Sequence, residues 1–149
     1  MRVWRTRDAV ETEALGARLC GELRPDRSVL LEGALGAGKT VLVRGLAVAL
    51  GLDPRVVQSP SYTLIHEYGG GSQRLVHIDL HRLEPAAVAG LGVEELLDGP
   101  GIKAVEWPER LPWEVSRALR LRLIAAADGS REIVELGAGT HPEPVEERI

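Results

Sequence analysis

The chain has 149 residues, 44% hydrophobic and 27% charged, with a net charge of −4. That length suits one domain with a proper core, and the acidic balance argues against an autonomous nucleic-acid binder, which usually carries a basic patch. The single Cys20 excludes an internal disulfide and fits a reducing compartment. No signal-peptide core precedes the first charged residues and no apolar run is long enough to span a bilayer, so a cytoplasmic protein without a membrane partner is expected.

Residues 2–6 read as a short strand. Asp8 and Glu11 stand at capping-box spacing, and the stretch from Ala9 to Leu23 reads as a helix with Val10, Ala14, Leu15, Ala17, Leu19 and Leu23 on one side. Cys20 falls in that apolar pattern, so core packing is its expected role. A turn at Pro25-Asp26-Arg27 leads into a buried strand, Ser28–Glu32. A helix follows from Lys39 to Leu50, with Gly51 at its C-terminal end. Thr63–Tyr68 and Arg74–Leu80 read as antiparallel strands around a Gly69–Ser72 turn. Short helices are expected at 85–90 and 93–97, a strand at Ile102–Glu106, and a strand pair at 119–125 and 131–136 around Asp128-Gly129. Residues 1–136 make one domain. Residues 137–149 are small, acidic and Pro-containing, and read as a mobile tail.

Between the strand and helix at 28–50 lies Gly33-Ala34-Leu35-Gly36-Ala37-Gly38-Lys39-Thr40, which matches the phosphate-binding loop G-x-x-x-x-G-K-[ST]. A triphosphate needs many donors at close range, and the backbone N–H groups of a tight loop supply them. The helix that starts at the loop's end directs its positive dipole end at the anion. Lys39 adds a compact charge for the β/γ-phosphates, and the Thr40 hydroxyl can bind Mg²⁺. The chain has 16 Arg and only 2 Lys, yet it places Lys where a point charge suits better than a planar fork. The fold expected from these elements is a P-loop NTPase-like, three-layer α/β fold with a mixed, partly antiparallel sheet.

Such a loop needs carboxylates to hold Mg²⁺ or position water. Strand period places His77, Asp79 and His81 on one face of the segment Leu75–His81, which makes Asp79 Walker-B-like. Glu106 ends a second apolar strand. The rival for the three residues is a transition-metal site, but alternate strand residues stand about 6.6 Å apart, wide for one ion. An exposed strand-end acid is the plain alternative for Asp79. Ser59-Pro60-Ser61-Tyr62-Thr63 is rich in hydroxyls and could sense a γ-phosphate. Trp107 could stack on a base or ribose, touch a partner, or pack in the core. The Asn-Lys-x-Asp guanine motif is missing, so ATP is the better nucleotide.

Together these stretches resemble the TsaE (YjeE) family, bacterial ATPases needed for threonylcarbamoyl-adenosine modification of tRNA. The family pattern is G-x-L-G-A-G-K-T, S-P-T-F-T-L, H-x-D-L-Y-R and E-W-P-E; here these are 33–40, 59–64, 77–82 and 106–109. The resemblance spans roughly residues 8 to 136. It implies phosphate binding by Lys39 and the loop (Gly33, Leu35, Gly36, Ala37, Gly38, Thr40), Mg²⁺ held by Thr40 and Glu106, and a Walker B part for Asp79. It implies a switch-like loop containing Thr63, and Trp107 near the nucleotide. It also implies two partners, TsaB and TsaD, contact with tRNA only through them, and weak ATPase activity alone. Ser61, Tyr62 and His81 depart from the pattern; at 81 any role of a phenol hydroxyl is in doubt. Arg82 is the candidate for an arginine finger. Two rivals are a small-molecule kinase, which predicts an acceptor pocket and a lid, and a non-hydrolysing nucleotide switch.

Overall fold

A computed structural model describes residues 1–58 and 64–137. Its elements in chain order are β1 (Val3–Thr6), α1 (Ala9–Leu23), β2 (Ser28–Glu32), α2 (Lys39–Ala49), β3 (Ile65–Tyr68), β4 (Leu75–Asp79), α3 (Pro85–Ala89), α4 (Val93–Asp98), β5 (Ile102–Glu106), β6 (Ala118–Ala125) and β7 (Arg131–Leu136). Ser59–Thr63 and residues 138–149, most of the expected tail, lie outside the described residues.

Local chemistry accounts for the helix ends. Asp8 caps α1 by accepting from the Glu11 N–H at 2.9 Å, while the Glu11 carboxylate reaches back one residue further than expected, to the Arg7 N–H at 2.7 Å. At the end of α2, Gly51 donates to the Val48 carbonyl and Leu52 to that of Ala47. This is the Schellman pattern, and Gly51 supplies its left-handed residue at φ 77°. The buried stripe of α1 is Thr12, Leu15, Gly16, Leu19, Cys20 and Leu23. Val10 is not on it: the side chain is 75% exposed. Thr12 takes the inward position instead, its hydroxyl 2.6 Å from that of Thr6 on β1. Apolar character alone misassigned Val10, because a buried hydroxyl with a partner fits the stripe as well.

The seven strands form one mixed sheet in the order β1-β7-β6-β2-β5-β4-β3. The central four, β6, β2, β5 and β4, are parallel to one another, and β3, β7 and β1 pair antiparallel toward the edges. β2, β4 and β5 are buried along their whole length, as parallel strands covered on both faces must be. One face packs against α1 and α2 through residues such as Leu15, Leu31, Leu42, Leu46 and Ala104. The other packs Leu30, Ile78 and Val105 against Val88, Val93 and Leu97 of α3 and α4. Each fully buried Leu or Val contributes about 1.5–3 kcal/mol, so both layers matter.

The two helices of the first face cross very closely. A Cβ on Gly45 would lie 2.0 Å from the Glu13 carbonyl oxygen. Absence of side chains at Gly16 and Gly45 thus lets α1 clamp α2, and α2 carries the phosphate loop at its start.

Candidate functional site

Three parallel strands end side by side and carry the site. β2 runs into the loop 33–38; Leu31 on β2 pairs with Glu106 on β5, and Glu106 pairs with Asp79 on β4. The Leu31 carbonyl accepts from Trp107 N–H (3.2 Å), and the Glu106 carbonyl accepts from Leu80 N–H (3.1 Å). Sheet hydrogen bonding thereby fixes the phosphate loop and both acids along one edge, at the carboxyl ends of the strands, where open α/β sheets bind ligands.

The loop turns into α2 at Gly38, whose φ of 101° lies in the left-handed region that a Cβ disfavours. Leu35 turns its side chain outward, 74% exposed, whereas Ala37 is buried. Lys39 is buried, and its Nζ donates to the Gly33 carbonyl at 2.5 Å. The same ammonium lies 4.2 Å from the centroid of the Trp107 ring, a cation–π contact. Burial lowers the Lys39 pKa from its ordinary value, and the negative charges of Glu106, Asp79 and Glu109 oppose that shift. Trp107 itself has φ 61°, a strained conformation for a bulky residue; the strain turns its ring over the lysine at the functional edge.

Thr40 Oγ1 donates to Glu106 Oε2 at 3.1 Å. The same oxygen lies 2.5 Å from His77 Nε2. A carboxylate only accepts, so His77 carries its proton on Nε2. His77 Nδ1 is buried and has no hydrogen-bond partner among the described residues. Asp79 Oδ1 accepts from the His81 backbone N–H (3.0 Å) and Nδ1 (2.9 Å), and His81 Nε2 accepts from Arg82 Nε (3.1 Å). The two histidines therefore serve two different carboxylates instead of converging. Among the described residues no group of three His, Cys, Asp or Glu could hold a metal, which disfavours the transition-metal alternative for 77, 79 and 81.

The donor set at the edge is one hydroxyl and two carboxylates, all hard oxygens. It suits Mg²⁺, which takes one or two protein carboxylates and fills its shell with phosphate and water. Thr40, Glu106 and Asp79 would be the residues to hold it. Of the expected site residues, the structure brings Gly33 to Thr40, Asp79, Glu106 and Trp107 together; Thr63, with the Ser59–Thr63 stretch, lies outside the described residues.

Three charged neighbours escaped the sequence reading. Arg131, at the start of β7, donates from Nη2 to the Gly36 carbonyl at 3.1 Å and so braces the loop from outside. Glu32, the residue before the loop, is buried 3.5 Å from Arg122 Nη2, and neither carboxylate oxygen has a hydrogen-bond partner among the described residues. Glu109 is exposed, yet the protein packed around its carboxyl raises it from its ordinary value by partial desolvation; Glu32 adds to the shift and Lys39 opposes it. Glu109 was legible as the last residue of the E-W-P-E stretch. Arg131 had no local signal, being 95 residues from Gly36 in the chain.

Comparison with known proteins follows this geometry. The family model of TsaE, threonylcarbamoyl adenosine biosynthesis protein TsaE, matches residues 6–133. The chain is 43% identical to a tRNA threonylcarbamoyladenosine biosynthesis protein TsaE of Nostoc sp. over 129 residues, 84% of this chain and 79% of that one. It is 37% identical to the TsaE of Bacillus subtilis over 150 residues, 98% of this chain and 92% of that one. The crystal structure of Bacillus subtilis YdiB superimposes with a TM-score of 0.72 at 36% identity, covering 90% of this chain and 83% of that one. With a P-loop-like mixed α/β fold and this extent of similarity, the chain belongs to the TsaE family, which acts in tRNA threonylcarbamoyladenosine biosynthesis.

Proposed function

We propose that this chain is a Mg²⁺-dependent ATPase that drives turnover of a TsaB–TsaD complex during threonylcarbamoyl-adenosine modification of tRNA, with weak activity alone. The observation that carries the reading is the Thr40 hydroxyl bonded to Glu106 at the first turn of α2, beside Asp79 on the neighbouring strand. That is the arrangement by which a phosphate loop and an acidic strand edge meet across one metal. Bound Mg²⁺ would neutralise charge on the phosphates of ATP.

Each residue then has a task. The loop amides and Lys39 receive the β/γ-phosphates. For this Lys39 leaves the Gly33 carbonyl, which holds it close to the loop. Trp107 keeps one side of the ammonium out of water, which strengthens its attraction for the transferring group. His77 orients Glu106, and His81 orients Asp79, so that each carboxylate presents its free oxygen lone pairs toward the loop. Each carboxylate has one oxygen engaged by two donors, Glu106 by Thr40 and His77 and Asp79 by the backbone and ring of His81, and its second oxygen is available for metal or water. Residence in the cytoplasm goes with this role; no helix among the described residues is long and apolar enough to cross a membrane.

The test is phosphate release from ATP by the isolated chain and by the chain with TsaB and TsaD. Low release alone and a clear rise with the pair support the proposal. Tight ATP binding with no release under either condition points to a nucleotide switch instead. Phosphate transfer to an added small molecule in place of water points to a kinase.

A further inference from the structure

The second lysine of the chain, Lys103, lies at the opposite end of the sheet. It is the second residue of β5, three residues or about 10 Å from Glu106 along the strand, and is among the most buried large side chains, 1% exposed. Its Nζ donates to the backbone carbonyls of Asp26 and of Gly99. An ammonium has three donors, and the described residues supply acceptors for two of them.

Lys103 lies at the floor of a cavity of about 240 Å³ between the sheet and α4. Trp113 and the half-buried Arg27 also line it, and the Arg27 carbonyl accepts from the Lys103 backbone N–H at 3.3 Å. Arg27 Nε and Nη1 are taken by the carbonyls of Arg117 and Glu22, leaving Nη2. The mouth carries the exposed carboxylates of Asp26, Glu94 and Asp98. Glu114 and Arg117 add one charge of each sign. Elsewhere in the molecule Arg2, Arg7, Arg55 and Arg74 each grip a carboxylate. Among the described residues the two signs line this cavity without ion-pair contact between them, although Asp26 and Asp98 are near enough to favour the charged form of Lys103 against its burial.

A buried ammonium, a half-buried guanidinium, exposed acids and an aromatic side chain in one lining match a small molecule that carries both charges. We propose that this cavity is a binding site for a free α-amino acid, its carboxylate on Lys103 and Arg27 and its ammonium at Asp26, Glu94 and Asp98. The volume is below that of pockets for drug-sized ligands, roughly 300–1,000 Å³, and too small for a second nucleotide. The proposal does not rest on ATP hydrolysis.

The experiment titrates the full-length ¹⁵N-labelled protein with the standard L-α-amino acids, using propionate and ethylamine as carboxylate-only and amine-only probes. Expected are saturable shifts at the Trp113 indole and the Ser28 and Lys103 amides with at least one amino acid. Each single-charge probe should bind at least about tenfold more weakly, the worth of one charged hydrogen bond. Lys103→Met and Asp98→Asn should each weaken binding by a similar factor. Should Lys103→Met not fold, the exposed Asp98→Asn decides. The proposal is overturned by no saturable shift, by propionate binding as tightly as any amino acid, by an unchanged affinity in Asp98→Asn, or by shifts confined to Gly36–Thr40.

Discussion

The two ends of the parallel sheet make the instructive comparison. Each has one buried lysine, in a chain whose other 16 cations are arginines. Each ammonium rests on backbone carbonyls: Lys39 on Gly33, Lys103 on Asp26 and Gly99. Burial lowers the pKa of both. The surroundings differ. Lys39 belongs to a loop whose carbonyl partner is six residues away, next to acids delivered by neighbouring strands. Lys103 ties together two segments 73 residues apart in the chain, Asp26 and Gly99, and its role is first of all to hold them. A lysine held by its own loop is free to be recruited by a ligand. A lysine that joins distant segments takes stability with it when it is removed.

Substitutions at four residues break or sharpen this contrast in ATP turnover, measured with the partners present. Lys39→Ala should lower turnover by at least about 10²-fold, the usual loss when a charge-stabilising donor is removed, while the urea midpoint stays near that of the parent. Unchanged turnover would remove the phosphate-loop reading altogether. Glu106→Ala should cost about 10- to 100-fold at low Mg²⁺, as loss of a metal-holding or metal-orienting group does. Added Mg²⁺ should recover part of it, and wild-type behaviour at low Mg²⁺ would strike Glu106 from the metal site. Arg131→Ala should raise the KM for ATP by about three- to tenfold with little change in kcat, because one hydrogen bond from a charged donor braces the Gly36 carbonyl. Arg131→Lys should restore part of it; equal KM values in all three proteins would show that the brace is idle. Lys103→Met should leave turnover within about twofold yet lower unfolding free energy by about 1–3 kcal/mol, since two carbonyls lose a donor. Denaturant melts of Lys39→Ala and Lys103→Met side by side test the comparison directly: equal losses would erase it.

Much of the candidate site was legible because it is written contiguously. The loop 33–40, the Asp79 strand and the Glu106 strand each announce themselves over five to eight residues of sequence, and the structure sets them on one edge. The pairing partners of the two histidines were not legible. Strand period places His77 and His81 on the same face as Asp79, but only the order β2-β5-β4 puts Glu106 against His77 and leaves His81 to Asp79. Residue type alone fits Trp107 to nucleotide, partner or core; the left-handed backbone at that residue brings its ring to Lys39, while its remaining surface packs with the second apolar layer.

What the sequence determined by itself is whatever short-range hydrogen bonding and periodicity control: the capped start of α1, the Schellman end of α2, the strand–loop–helix around Lys39, and the acids at strand tips. These depend on residues within a turn or two of each other, so residue type and spacing suffice. The tertiary structure alone decided the rest. Seven strands could pair in many orders, and the choice made here joins Thr40 to Glu106 across 66 residues and Arg131 to Gly36 across 95. It also turned Val10 outward in favour of Thr12, and enclosed Lys103 between a turn and a helix end. Long-range contacts of this kind are set by how faces pack and which strand edges satisfy each other, a competition among alternatives that no local window contains.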